Sequence, residues 1–408
     1  MKHVIIGTGA AGISAAKAIR ELQKDAEIVM ISTDDVVYSR CMLHKYISGD
    51  RSLAELSFIP DSFFEDNHIR WLSGVTVTGV DTENKLVRYD GGTEPYDRLL
   101  IATGSQSVIP PIGDLRNAKN VFGLRHLSDA KAIREHAAGA NAVVVIGAGL
   151  VGLDAAAALL EMGKKPVIVE MADTILALNL DAHAASVYQA KFEEAGCTFY
   201  IGRKVSGTVC DASGSVTMLT LDDGRQLPCD LVVVAAGVRP SAAFLENSGV
   251  ACQGNIIVDE RLATSADGVY AAGDVAGLSG IWPNAVKQGE VAAANMCGES
   301  VVYDDTYALK NTLNFFNVPA LSVGKLASSE GDTEYSREDR NRYEKVIVRD
   351  GVPTGVILQG DISHSGFWQY LIKNKISISG IRKPVWKLSF SDFYGMEANG
   401  EYKYNLTT

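Results

Sequence analysis

One pattern occurs twice in this chain and narrows the folds open to it more than any other feature. It is a short β-rich apolar run, a glycine turn and an alanine-rich helical stretch. The first copy reads KHVIIGTGAAGISAAKAIREL and the second NAVVVIGAGLVGLDAAAALLEMG, with Gly7 and Gly147 opening turns about 140 residues apart. Each helical stretch is followed by an apolar run of parallel-strand character, AEIVMIS from Ala26 and KPVIVE from Lys165. Both copies therefore predict βαβ units, and the chain is expected to carry two dinucleotide folds.

The spacing within each turn has a physical reading. In the first, Gly7, Gly9 and Gly12 enclose Thr8, Ala10 and Ala11; in the second, Gly147, Gly149 and Gly152 enclose Ala148, Leu150 and Val151. The first glycine permits the tight strand-to-helix turn, the second lets backbone approach a pyrophosphate, and the third lets helix and strand pack closely. Free N–H groups and the helix dipole then attract the phosphates, a charge effect of about 0.3–1 kcal/mol. One such turn also serves packing without a ligand, but two, each set between strand and helix, make that explanation inadequate.

The ribose positions separate the two folds. Glu170 ends the second strand of the second copy, 18 residues after Gly152. A carboxylate there accepts from both ribose hydroxyls and repels a 2′-phosphate, so NADH is expected to be preferred over NADPH. In the first copy the corresponding position is Ser32, 20 residues after Gly12, and acid appears only at Asp34, which is the expected ribose ligand.

Between the copies, YDRLLIATGSQSVIPPIG predicts a strand, a tight turn at Ala102, Thr103 and Gly104, and a proline-rich crossing near Gly113. DLVVVAAGVRP, containing Gly237, closes the second fold in the same way, and VYAAGDVAG, containing Gly273 and Asp274, precedes a helical pattern. From about Asp304 the chain turns to alternating strands, charged turns and aromatics, an expected C-terminal α+β domain. A net charge of −11 disfavours nucleic acid or anionic membrane as a partner and leaves small molecules or proteins. No apolar run reaches membrane-spanning length and MKHVIIGTG passes directly into the first strand, so a cytoplasmic protein is expected. The six cysteines form no close pair, so no metal cluster or local dithiol is expected.

With GTGAAG, YDRLLIATGS, GAGLVG, AAGVRP and VYAAGDVA in that order, residues 1 to 305 resemble the FAD/NAD(P) pyridine nucleotide-disulfide oxidoreductase superfamily. The resemblance implies an α/β chain of two Rossmann-like folds. A discontinuous FAD domain (1–112 and 240–304) would receive an inserted NAD domain (113–239), with the C-terminal α+β domain over 305–408. It also implies that Asp274 binds the flavin ribitol, and that the turns at Gly7–Gly12, Ala102–Gly104 and Gly273 hold FAD while those at Gly147–Gly152 and Gly237 hold NAD. In the branch serving rubredoxin, ferredoxin and nitrite reductases, an aromatic, a small residue and arginine precede a helix whose lysine approaches flavin N5. YSRCMLHK fits that pattern, which places Arg40 at the flavin and Lys45 near N5. The lysine's usual glutamate partner is here Asp154, one methylene shorter.

Cys41 lies where the single-cysteine branch, the NADH oxidases, peroxidases and CoA-disulfide reductases, keeps its redox thiol. Arg40 and Lys45 could lower its pKa. Yet the glycine that follows that cysteine is Met42 here, and the histidine–glutamate pair of thiol-exchanging members is met only by His364 with Gln369. An inert cysteine and a redox one both remain open. Between Lys373 and Lys387 the tail carries five cations and no acid, either a solvated face or a surface that steers an acidic partner. Trp368, Trp386, Phe390, Phe393 and Tyr394 are expected in that domain's core, and the domain itself is expected to serve dimerisation or docking.

These observations imply an NADH-dependent FAD oxidoreductase that passes electrons to a small acidic rubredoxin-type or iron–sulfur protein, nitrite reductase systems included. Two alternatives stand beside it: a single-cysteine enzyme working through Cys41, and a flavin-binding NADH sensor or scaffold.

Overall fold

The computed structural model describes residues 1–404. In chain order its main elements begin with β1 (Lys2–Ile6), α1 (Ala10–Leu22), β2 (Glu27–Ile31), α2 (Leu43–Ser48), β3 (Ile69–Leu72) and β4 (Arg98–Ile101). Next come β5 (Val121–Phe122), α3 (Leu127–Gly139), β6 (Val143–Ile146), α4 (Leu150–Glu161), β7 (Val167–Glu170) and α5 (Ala182–Glu194). β8 (Leu231–Val234), β9 (Val269–Ala271) and α6 (Trp282–Met296) follow. The tail holds β10 (Lys310–Phe315), β11 (Val318–Gly324), β12 (Asp332–Asp339), β13 (Arg342–Arg349), β14 (Val352–Gln359) and α7 (Ser365–Lys373). The chain divides into two compact units. The first comprises Met1–Gly147, Val151–Val169 and Arg203–Thr306; the second comprises Ala148–Leu150, Glu170–Gly202 and the chain from Tyr307 onward.

In the first unit one parallel sheet has the order β9–β4–β1–β2–β3. Val4 of the central strand lies level with Val29 on one side and Leu99 on the other. β9 joins this sheet only after the chain has built a second one, in which β6 is flanked by β7 and β8 with β5 beyond β8. The first fold is therefore discontinuous and the second is inserted into it. Continuous apolar runs are needed because both faces of the first sheet are covered. Ile5, Ile28, Met30 and Leu100 face α1 and α6, while Val4, Val29, Leu99 and Ile101 face a small antiparallel meander that contributes Val80 and Val87. α6 packs so closely on α1 that a β-carbon at Gly289 would collide with the carbonyl oxygen of Ala11.

In the second unit an antiparallel sheet has the order β10–β11–β14–β13–β12. One face, through Leu321, Val346 and Leu358, buries Phe367, Trp368 and Leu371 of α7 together with Ile376, Val385, Leu388 and Phe393 from the segment beyond it. The opposite face takes α5. Tyr188 donates through Oη to the Val318 carbonyl at 2.6 Å, Gln359 donates to the Ala184 carbonyl at 2.9 Å, and Ser322 donates to the Asn179 carbonyl at 2.5 Å. Asp181 caps α5 by accepting from Ala184 N at 2.9 Å, and also accepts from Tyr343 Oη at 2.7 Å and Lys345 Nζ at 3.2 Å.

The aromatics expected in the C-terminal core divide. Trp368 and Phe393 are buried and Trp386 is half-buried, but Phe390 and Tyr394 are exposed. Beyond α7 the segment is irregular and buries only a few side chains, Ile376, Val385, Leu388 and Phe393. Among the described residues no helix is long and apolar enough to cross a membrane.

Candidate functional site

In the first unit the strand ends and the turns that follow them enclose a cavity of about 250 Å³. Gly7, Gly9, Ala10 and Ala11 line it, as do Asp34, Arg40, Cys41, Ala102, Thr103, Gly104, Gly273 and Asp274. Four sequence segments widely separated along the chain thus converge on one space. Gly12 and Lys45, which the sequence reading also assigned to this site, do not line it. Gly12 has a packing role, since a β-carbon there would strike the Gly7 carbonyl oxygen. Gly9 differs, because the nearest atom to a β-carbon built on it is Arg40 Nη1 at 3.7 Å, on the side of the cavity. α1 starts at Gly9 with no side-chain cap and no acid in its first turn, so its leading N–H groups are free for an anion. This cradle fits the pyrophosphate of a dinucleotide.

Asp34 lines the same cavity with both oxygens engaged. Its Oδ1 accepts from Tyr38 Oη at 3.0 Å and its Oδ2 from Arg40 Nη2 at 2.6 Å. The Arg40 guanidinium lies 4.9 Å over the Tyr38 ring, whose hydroxyl burial pushes up to about 12. Ser32 is excluded as a ligand, because its buried hydroxyl donates to the Asp34 carbonyl and accepts from Trp71 Nε1.

Asp274 follows Gly273, whose φ of 82° and ψ of −157° suit glycine alone. Its Oδ2 accepts from Ser105 Oγ at 2.9 Å and from Arg125 Nη2 at 2.5 Å. Among the described residues Oδ1 receives no hydrogen bond, which leaves it for a ligand hydroxyl. Arg125 also donates from Nε to the Ser105 carbonyl at 3.1 Å, so it ties the Gly104 turn to Asp274. The sequence reading missed Arg125, His126 and Trp282 on the cavity wall and Ser105 behind it, which holds Asp274. No glycine spacing or charge pattern marks them, and only the fold brings them to the cavity.

The expected pair of Lys45 with Asp154 is not formed. Lys45 Nζ instead donates to Asp50 Oδ2 at 2.8 Å and to Glu161 Oε1 at 3.2 Å, bonds that raise its pKa. Glu161 lies two turns beyond Asp154 on α4, and it is there, with Asp50, that the lysine finds its partners. Asp154 keeps 32% of its side-chain surface open but lies deep among protein atoms. Loss of surrounding water raises its carboxyl to about 7, against the opposing charge of Lys45. Its neighbour is His44, with Nδ1 at 3.8 Å from Oδ2, and burial lowers the pKa of that imidazole.

Cys41, left open between an inert and a redox thiol, lies beside the same cavity. Its thiol opens onto the cavity, yet burial among protein atoms, helped by Asp154 and Asp274, raises its pKa over the opposing pull of Arg125 and Arg40. An activated thiolate is not what this setting favours.

The second glycine turn repeats the first: a β-carbon at Gly152 would strike the Gly147 carbonyl oxygen, and one at Gly147 the Ala235 carbonyl. In the second unit Glu170 spreads its carboxylate across two backbone donors, Ala148 N at 2.6 Å and Ala172 N at 2.7 Å. A carboxylate fixed in this way fits ribose hydroxyls and repels a phosphate.

Comparison with known proteins agrees with this architecture. Residues 1–289 match the pyridine nucleotide-disulphide oxidoreductase model and residues 310–376 match the rubredoxin NAD+ reductase C-terminal domain. The chain is 32% identical over 396 residues to the NADH-dependent phenylglyoxylate dehydrogenase subunit epsilon of Aromatoleum evansii, covering 93% of each. It is 31% identical to the nitrite reductase [NAD(P)H] of Bacillus subtilis, where 93% of this chain spans 48% of that longer protein. Among solved structures, the covalent putidaredoxin reductase–putidaredoxin complex superposes with a TM-score of 0.82 at 25% identity, over 92% of this chain and 94% of the other. The chain belongs to the pyridine nucleotide-disulphide oxidoreductase family.

Proposed function

We propose that the chain is an NADH-dependent FAD oxidoreductase that passes electrons from NADH, through the flavin, to a small rubredoxin-type or iron–sulfur protein. The observation that carries this reading is the convergence on one cavity of the uncapped α1 N-terminus, the Ala102–Gly104 turn and the carboxylates of Asp34 and Asp274. When bound, FAD supplies the conversion between a two-electron hydride donor and one-electron acceptors.

The chain's own residues hold and orient. The N–H groups from Gly9 to Ala11 take the pyrophosphate, and Arg40, tethered to Asp34, adds positive charge beside it. Asp34 accepts from the adenosine ribose and Asp274 Oδ1 from the ribityl chain, with Arg125 fixing that carboxylate. Lys45 keeps its charge through Glu161 and Asp50 and carries the cationic role of α2. The inserted domain, residues 113–239, takes NADH through Gly147, Gly149, Leu150, Val151, Gly152 and Gly237, with Glu170 selecting against NADPH. The C-terminal residues 305–408 serve docking or dimerisation. A cytoplasmic location accompanies this reading, since NADH is supplied there.

Purified protein should be yellow, and anaerobic NADH should bleach the flavin within the mixing time of a stopped-flow instrument or shortly after. Reduced rubredoxin should then accumulate on addition of that acceptor. Material that is colourless and takes up no FAD on reconstitution sinks the proposal. Abolition of turnover by Cys41→Ser would transfer the reading to the single-cysteine enzymes. Bleaching far slower than any turnover would leave only the sensor.

A further inference from the structure

The match to the rubredoxin reductase C-terminal domain ends at residue 376, and the chain beyond it has its own character. Ile376, Val385, Leu388 and Phe393 are drawn into the core under α7. That anchoring turns Lys375, Arg382, Lys383 and Lys387 outward, and Lys373, at the end of α7, is exposed with them. Lys383 pairs with an acid of the same segment, Asp392. The Lys383–Asp392 pair brings the turn that carries Phe390 and Tyr394 to Lys383. Phe390 is 37% exposed with its ring 5.4 Å from Tyr370, and Tyr394 is 47% exposed with its ring 5.1 Å from Tyr402, itself 60% exposed. The tail thus carries exposed cations and exposed aromatic rings, joined where Lys383 meets Asp392.

We propose that this surface, which carries Lys375, Arg382, Lys387, Phe390 and Tyr394, is the docking site for the acidic face of a small rubredoxin-type iron protein. The proposal deepens the reading above and rests on it. The chain as a whole carries a charge of −11 and repels an acidic partner, so productive encounter needs a local patch of opposite sign. A patch of cations alone would steer without holding. Exposed tyrosine and phenylalanine, with arginine, supply the water-excluding contacts that concentrate binding energy at interfaces.

The test uses the FAD-loaded full chain, NADH, and a purified acidic rubredoxin as acceptor, with 2,6-dichlorophenolindophenol as a small acceptor that needs no docking surface. The triple variant Lys375→Glu, Arg382→Glu, Lys387→Glu should raise the rubredoxin KM by about tenfold or more and flatten its dependence on salt. Its rate with NADH and the dye should equal that of the unaltered protein. Tyr394→Ser should raise the rubredoxin KM with the salt dependence intact, separating holding from steering. If the glutamate variant fails to fold, the glutamine version at the same three positions should give a smaller shift in the same direction. Unchanged KM and salt dependence in a folded variant overturn the proposal, as does an unaltered protein that reduces the dye but reacts with rubredoxin without saturation. An unaltered protein inert toward NADH and dye overturns the oxidoreductase reading instead.

Discussion

Asp274 is held on one oxygen by Arg125 and Ser105 and is open on the other. Asp274→Ala removes the acceptor for the ligand and strands Arg125. A hydrogen bond to a charged group contributes about 1.5–3 kcal/mol, so FAD affinity should fall roughly 10- to 100-fold, read by flavin fluorescence titration. Asp154 gives a pH prediction. Its folded pKa, about 7, lies above its ordinary 3.8, so the folded state keeps this proton while the unfolded chain loses it. Stability is therefore lost as pH rises from about 4 to 7 and is level beyond. With its open surface allowed for, Asp154→Asn should stabilise the protein at pH 8 by about 1–2 kcal/mol and at pH 4 by almost nothing, measured by urea unfolding. At this scale the glycine spacing pointed to Gly7 and Gly9, the ribose position to Asp34 and the family resemblance to Asp274, residues that the fold gathers at one cavity. The sequence hid those whose role depends on placement in the fold: Lys45 is held by Asp50 and Glu161 rather than by Asp154, and Arg125 arrives from a loop with no motif.

Elements join through a few close contacts. Gly289 lets α6 rest on the first turn of α1, next to the phosphate cradle. Gly289→Val overpacks that crossing, which costs about 1–3 kcal/mol or more. It should lower the melting temperature and weaken FAD retention together, followed by thermal unfolding and by flavin content after gel filtration. In the second unit Lys345 is only 9% exposed and lies between Asp181 and Glu334, at 3.2 Å from each. Lys345→Met leaves those carboxylates without their cation and should destabilise by about 3 kcal/mol in chemical denaturation. Both βαβ units were legible in the sequence because fully covered parallel strands need unbroken apolar runs. The seating of α5 on the C-terminal sheet was not, since it depends on Asn179, Asp181, Tyr188 and Gln359, polar residues that form no periodic stripe.

For the molecule as a whole, β9 ties residues near 270 to strands formed from the first hundred, so the first sheet is completed by chain that follows the inserted fold. A cofactor seated among its strand ends should therefore stabilise that unit as one body. Ligand at 100 times its Kd contributes about 2.7 kcal/mol, and removing FAD by chaotropic dialysis should lower the unfolding midpoint by a matching amount that returns on reconstitution. Failure to recover with added FAD would deny the cavity its ligand. The order of motifs made this discontinuous plan readable in advance. The exposure of Phe390 and Tyr394 was not readable, because composition cannot distinguish aromatics that fill a core from those left outside a small one.

The seam between α5 and the closing sheet has a mechanical consequence. Asp181, Tyr188 and Gln359 fasten a helix whose capping residue, Asp181, lies eleven residues past Glu170. The stretch that leads away from the Glu170 carboxylate is thereby moored at its far end to the closing sheet.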